Sequence, residues 1–505
     1  MRSRFLQPFV AFTRPAHFAV AALLLAGPAV EGRAQAVRVR ANFPATNAPV
    51  RALAIDSARR IAYIGGDFTI VGGQDRLRLA AIHLDTGAVL PWNPLPNGTV
   101  ETIAIDGDRI YIGGRFGSVN GNPRSRIAAL DLAGNVVPTW NAAVRTAGFP
   151  LDPSLDEARV TSIAITPSNI FVAGTFTEVQ SISTGQDATR RNRLAAFTKD
   201  NASVRNWNPN PNGEIHALRT SGTTLHVIGT FSSITGGDGV VRARRSYARF
   251  NNNVAVQPVS LLPTANAGAD PAAFTAIALR GDTTILAGPF SRIGAEARTG
   301  LAIIDDTGSL LPFRATPGLS LVTAITANNT TIFTADDGRF VNGQLRFLRA
   351  YDNAGTLLPW LPVVANNSGF EDPVTFRANP PEFLALALDG PWLYVAGSFT
   401  VISGVYQPGF AALSLPVTTP PPTLSARGRT SIKTTRKKLT LKGTSTNSTL
   451  IQYKAGKGGF KNARGTAAAW KFPVRLGTKK RTIAKVRATG PGGTSKLLKF
   501  TITRK

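Results

Sequence analysis

The sequence predicts an all-β chain, a seven-bladed β-propeller followed by a small antiparallel β-sandwich, and three observations carry that expectation. The tripeptide Gly-x-Phe returns seven times, beginning at Gly66, Gly114, Gly174, Gly229, Gly288, Gly338 and Gly397, at intervals of 48, 60, 55, 59, 50 and 59 residues. The same frame of strands and turns surrounds the copies, and a period of this length marks a repeat architecture. The composition agrees: 48 glycines and 34 prolines supply turns, and no cysteine is present, so stability must come from burial.

The chain divides into four stretches. Residues 1–36 read as a signal peptide: Arg2, Arg4 and Arg14 precede the apolar run "FAVAALLLAGPAV", and Ala34 and Ala36 supply the small residues of a cleavage site. That places the mature chain outside the cytoplasm, and no later run approaches membrane length. Residues 37–415 carry the repeat. Residues 416–424, within "SLPVTTPPPTL", form a stiff proline-rich linker, and residues 425–505 form the sandwich. The net charge of +28 is unevenly spread. Residues 37–422 hold 31 Lys+Arg against 28 Asp+Glu, whereas residues 423–505 hold 22 Lys+Arg and no acid.

Each repeat opens with a strand whose apolar residues alternate in size, such as "VRALAID", "VETIAID" and "VTSIAIT", as expected of a strand buried on both faces. A tight turn ("DSARR", "DGDR", "TPSN") leads to the strand ending in Gly-x-Phe. A loop follows, then a third strand such as "RLAAIHLD". A second turn ("DTGA", "LAGN") leads to a fourth strand that ends at Trp92, Trp140, Trp207, Phe313 or Trp360. Four strands per unit and seven units describe the propeller. The fourth unit has Val259 where tryptophan is expected, and the sixth reads "TADDGRF", with its glycine displaced, so irregular units are expected there. The seventh lacks a fourth strand, and the mature N-terminus "VRVRANFPATNAPV" is expected to supply it, closing the last blade and removing free edges.

The pattern "YIGGxF…R..LAA.D..G....W.P" resembles the bacterial delta-60-type β-propeller repeat and, more distantly, the kelch-like repeats of fungal cell-polarity markers. The resemblance spans roughly residues 37–418 and implies the fold; the bacterial family has no agreed activity to carry over. In the last stretch, "FKNARGTAAAWKFPVRLGTKKRTIAKVRATGPGGTS" resembles bacterial Ig-like modules appended to secreted proteins, with Trp470 as the core aromatic.

Insertions fall between second and third strands and between units, two kinds of connection that emerge on one face of an up-and-down blade. That face is the expected recognition surface. It carries the position just inside each first strand: Arg51, Glu101, Thr161, His216, Thr275, Thr323 and Leu384. Arg51, Glu101 and His216 are the candidate ligand-binding residues at the channel mouth. The plain structural alternative is that Arg51 and Glu101 pair with each other and His216 is a solvated rim residue. Asp67, Arg115 and Arg339, the charged middle residues of Gly-x-Phe, are the candidate rim of the loop-rich face.

Arginines before the third strands (Arg76, Arg124, Arg191, Arg244 and Arg298) suit a structural role, one guanidinium satisfying several loop carbonyls. The repeated tryptophans read as packing residues. Three histidines remain after processing, so a multi-histidine metal centre is not expected, and no Ser-His-Asp order, calcium loop or glycosidase pairing is visible. No catalytic residue, metal or cofactor is assigned.

These features point to a secreted or cell-envelope recognition or adhesion protein whose propeller binds a protein or glycan. The basic module is expected to meet an anionic polysaccharide or lipopolysaccharide, with nucleic acid excluded by compartment. The alternatives are a polysaccharide hydrolase or lyase with its site at the channel mouth, and a structural envelope component.

Overall fold

The computed structural model describes residues 37–148, 157–251, 255–259, 261–264, 272–316, 321–341, 344–360, 362–365, 382–416, 423–426, 430–435, 438–446, 450–455, 460–465, 469–476, 481–490, 493–494 and 498–504. The expected signal peptide and most of the expected linker, residues 417–422, lie outside them. Every described regular element is a β-strand, so the fold is all-β.

Among the described residues, one antiparallel three-stranded sheet in meander order accompanies each of the seven repeats. The first is Val50–Asp56, Ile61–Gly66 and Leu79–His83, the second Val100–Asp106, Arg109–Gly114 and Ile127–Leu130, and the third Val160–Ile165, Asn169–Gly174 and Leu194–Thr198. The fourth is Ile215–Ser221, Thr224–Gly229 and Tyr247–Phe250, and the fifth Ala276–Arg280, Thr283–Ala287 and Leu301–Ile304. The sixth is Val322–Ala327, Thr331–Val341 and Gln344–Asp352, and the seventh Phe383–Asp389, Trp392–Gly397 and Phe410–Ser414. Each first strand lies against the first strand of the next unit, and Phe383–Asp389 lies against Val50–Asp56.

The expected fourth strands are not regular strands. Each is a single β-bridge: Ile82 to Val89, Leu130 to Val136, Phe197 to Val204, Phe250 to Val256, Ile304 to Leu310 and Tyr351 to Leu357. The residue after each bridge still donates, as Leu90 does to the Ala81 carbonyl at 2.8 Å. In four units the carbonyl of that same residue accepts from an arginine, Leu90 from Arg76, Arg205 from Arg191, Gln257 from Arg244 and Leu311 from Arg298. The seventh unit receives the same contact from the N-terminal segment: Val39 bridges Leu413, and the Arg40 N–H donates to the Ala412 carbonyl at 2.8 Å.

The cores lie between successive sheets. Tyr63 and Leu79 of unit one pack with Ile110, Ile112 and Phe116 of unit two, and Val50 and Ile64 of unit one pack with Tyr394 and Phe410 of unit seven. Trp140 is fully buried, meets Tyr111 edge-on at 5.1 Å, and its indole N–H donates to the Thr198 carbonyl of unit three at 2.9 Å. Burial of a large apolar side chain contributes about 1.5–3 kcal/mol, and the edge-on pair about 0.5–1.5 kcal/mol more.

In six units the glycine of Gly-x-Phe is required by a close approach. A Cβ on Gly114 would stand 2.0 Å from the Thr99 carbonyl oxygen, and one on Gly229 would stand 1.9 Å from that of Glu214. Unit six corrects the sequence reading. Its register sets Asp336 opposite Val322, where Gly66 stands opposite Val50, so Gly338-Arg339-Phe340 is not the copy in register. There the second strand runs on to Val341 with an irregularity between Ala335 and Arg339, and the carboxylate of Asp336 lies 3.2 Å from the buried Arg349 guanidinium. Arg339 therefore pairs with Arg346 along a hairpin and is not equivalent to Asp67 or Arg115.

The loop-rich face also differs from expectation. Several loops between second and third strands are short ribbons: Ile70–Val71 with Gln74–Asp75, Ser118–Val119 with Asn122–Pro123, and Val401–Ile402 with Val405–Tyr406. Inter-unit segments join them, as Ala142–Arg145 pairs with Glu178–Ser181 and Pro263–Thr264 with Arg292–Ile293. One apolar residue in each ribbon is buried, among them Val71, Val119, Val179 and Ile234, and that burial organises what the composition presents as loop.

The last region has two sheets over one core of Trp470, Phe472, Val486 and Phe500. It is not wholly antiparallel, because Ser431–Thr434 runs parallel to Leu498–Arg504.

Candidate functional site

The site begins with a backbone irregularity. In six units the register shifts at the second residue of the first strand, so that Arg51, Glu101, Thr161, His216, Thr323 and Leu384 each occupy a β-bulge. A bulged residue leaves the ladder and its side chain is re-aimed. Together with Thr275, which precedes its strand, these residues line a single cavity of about 380 Å³ that touches the first strand of every unit. The structure thus gathers Arg51, Glu101 and His216, along with the four remaining positions of the set.

The charged members do not pair as the sequence alternative had it. Arg51 Nε donates to Asp67 at 2.6 Å, and Arg115 Nε donates to Glu101 at 2.9 Å. The bulged position and the middle of Gly-x-Phe form an ion pair in both units, with the signs exchanged. Thr99 Oγ1 donates to the other Asp67 oxygen at 2.7 Å, and Arg159 Nε stands 3.8 Å from Glu101. Four of the six candidate residues are therefore each other's partners. Half-exposed pairs of this kind contribute about 0–1 kcal/mol each.

His216 has no ionic partner among the described residues. Its Nδ1 donates to the Phe274 carbonyl of unit five at 2.8 Å. His216, Thr161, Thr275 and Thr323 also line a second cavity of about 560 Å³ on the side of units three to six. Arg159, Thr175, Arg193 and Glu214 complete its polar wall, and Phe176, Ile215 and Val322 give it apolar surface. That volume and mixed lining suit an organic ligand of moderate size. Sequence reasoning missed Arg159, Arg193 and Glu214; their signal was their place at the edges of the repeat motifs.

The repeated arginines before the third strands are structural. Arg76 donates to the Asp75 and Leu90 carbonyls at 2.8 and 2.7 Å, and Arg298 to those of Ala297 and Leu311 at 2.8 and 3.0 Å. Arg191 and Arg244 repeat the arrangement. Each clamps its own loop to the segment beyond the third strand.

In the basic region the strand register sets like charges opposite one another. Lys438 faces Arg475 and Lys442 faces Lys471 on one sheet, while Lys454, Lys485 and Lys499 form a row across three strands of the other. Cross-strand like charges are destabilising, and residues 423–505 offer no acid to offset them. Beside the lysine row, the Arg487 guanidinium lies 4.1 Å from the Phe460 ring centroid and the Lys454 ammonium 5.0 Å from it.

Among the described residues no group of three or more His, Cys, Asp or Glu could hold a metal ion, and no helix is long and apolar enough to cross a membrane.

No family model and no curated protein matches the chain. Solved structures do. A chain of the mitotic checkpoint complex is 12% identical, with 80% of this chain and 99% of that one covered, at a TM-score of 0.41. The computationally designed Ika8 protein is 14% identical over 74% of this chain and 98% of its own, at 0.39. The extracellular domain of a putative one component system from B. thetaiotaomicron is 11% identical over 91% and 56%, at 0.35. Superpositions of this kind transfer no function, and the site stands on its own residues.

Proposed function

We propose that the chain is an exported, non-enzymatic recognition protein, a seven-bladed propeller of the delta-60-type pattern that binds a glycan on its loop-rich face. The cyclic adjacency of the seven first strands and the Val39 to Leu413 bridge support a closed ring. One observation carries the functional reading: the cavity of about 560 Å³ is walled by hydroxyl, imidazole and guanidinium groups at positions where the repeat leaves the side chain free to vary. Hydroxyls and arginines in a polar wall with a few apolar surfaces match the mixed polarity of a sugar.

The measurement is a glycan and envelope-fraction binding screen of the mature chain beside its His216→Ala variant, with polysaccharide turnover assayed on the same samples. Loss of one or two hydrogen bonds predicts about tenfold weaker binding in the variant. Turnover by the wild type that disappears in the variant while binding remains would sink the non-enzymatic reading.

The basic region, read as an Ig-like module, associates with anionic envelope polymers. Its opposed cations support this, because a polyanion laid over them removes a repulsion the fold otherwise carries. On a heparin column the full mature chain elutes at higher salt than a chain ending at Thr418. Equal elution would remove the polyanion from the proposal.

A further inference from the structure

Unit four departs from the repeat at one cross-strand pair. The second strand places a bulky apolar residue opposite a small or apolar one in the other units: Tyr63 with Ala81, Tyr111 with Ala129, Phe171 with Ala196, Ile285 with Ile303, Phe333 with Ala350 and Tyr394 with Ala412. Unit four sets His226 opposite Arg249. It also has Val259 where Trp92, Trp140, Trp207 and Trp360 pack edge-on against that same second-strand residue. A cavity of about 150 Å³ lies against the His226 and Arg249 pair.

Its wall includes His226, Arg249, Gln257 and Thr284, with Asp282 and Asp306 at an exposed edge. Arg249 is only 8% exposed, yet it donates to a neutral group, the Asp306 carbonyl at 2.6 Å, and its Nε has no hydrogen-bond partner. The buried Oε1 of Gln257 is likewise without a partner. No carboxylate among the described residues is within ion-pair distance of Arg249, Asp282 and Asp306 included, and a buried guanidinium left so is costly unless an anion joins it. His226 Nδ1 lies 2.9 Å from the Tyr247 hydroxyl and 3.5 Å from Thr284 Oγ1, so the imidazole belongs to a polar cluster beside Arg249. Burial, and then the charge of Arg249, hold the His226 pKa down to about 4, so the ring is neutral near pH 7.

We infer that this cavity is a binding site for a small oxyanion, a carboxylate or phosphate held by Arg249 with His226 and Thr284. At about 30 Å³ per water the space equals about five waters, enough for an anion of that size and too small for a sugar ring. The site is separate from the cavity around His216 and independent of the glycan reading.

Thermal unfolding of the full mature chain, titrated with acetate, phosphate or chloride at constant ionic strength, tests it. An oxyanion that binds the native state raises Tm in step with the logarithm of its concentration. The double variant His226→Tyr/Arg249→Ala restores the pair used by units one, two and seven and is expected to fold, lose the response and keep any contribution from the basic region. Arg249→Met, checked for fold by circular dichroism, removes the charge alone and should lose the response as well. Acetate and phosphate arms separate the two ligand sources. No anion response in the wild type, a response to chloride alone, or an equal response in the variants would each overturn the assignment.

Discussion

Units two and four are built on one frame and fill it in opposite ways. Unit two has Tyr111, Ala129 and Trp140 between its sheets, and at its mouth Glu101 is held by Arg115. Unit four has His226, Arg249 and Val259 in those places, and at its mouth His216 reaches only a backbone carbonyl. Unit two is packed and paired; unit four contributes to a cavity at each end. The difference teaches how a repeat accommodates function. Each sheet buries its faces on its neighbours, so one unit can exchange packing for polar space while the others hold the frame.

The comparison can be broken most forcefully at the packed unit. Trp140→Ala should destabilise the protein by about 3–5 kcal/mol, measured by denaturant unfolding, because it opens a cavity and removes the bond to the Thr198 carbonyl. Val259→Ala in unit four should cost clearly less. Equal costs would show that the two units are not differently packed.

The next effect belongs to unit four alone. The His226 pKa falls from 6.5 to about 4 on folding, so the unfolded chain binds the proton first as pH drops. The stability from the neutral ring is complete above pH 6.5 and is lost as pH falls from 6.5 towards 4, by about 3 kcal/mol in all. His226→Phe, which copies Phe171 of unit three, should flatten that part of the stability profile. An unchanged profile would remove His226 as its source.

The smallest effect lies at the mouth of units one and two. Glu101→Gln should change stability by about 1 kcal/mol or less, since Arg115 is half exposed. It should leave glycan binding intact while His216→Ala weakens it. Comparable losses in both variants would extend the site into unit two.

Much of the frame was legible from local chemistry. The seven first strands, the turns, the glycine that admits the Thr99 carbonyl and the tryptophan that fills the inter-sheet space all follow from residue type and spacing. Other features were hidden for physical reasons. The fourth strands look like strands in pattern, but each makes one bridge, and in four units an arginine takes the next carbonyl. The ribbons on the loop face are two to four residues long, below the length at which alternation can be read. In unit six a visible Gly-Arg-Phe misleads, because the bulge before Arg339 moves the register and an ion-paired Asp336 takes the glycine's place.

The sequence by itself determined the all-β class, the sevenfold spacing, the separate basic region and the set of positions that meet in one cavity. Periodicity is a property of the chain, and every unit reports it again. Only the tertiary structure decided what those positions do. Bulges turn Arg51 and Glu101 towards Asp67 and Arg115 instead of towards each other, and His226, Arg249 and Gln257 meet around a cavity because neighbouring sheets leave it unfilled. Partner choice and empty space depend on how separate segments are brought within a few ångströms, and no spacing along the chain records that.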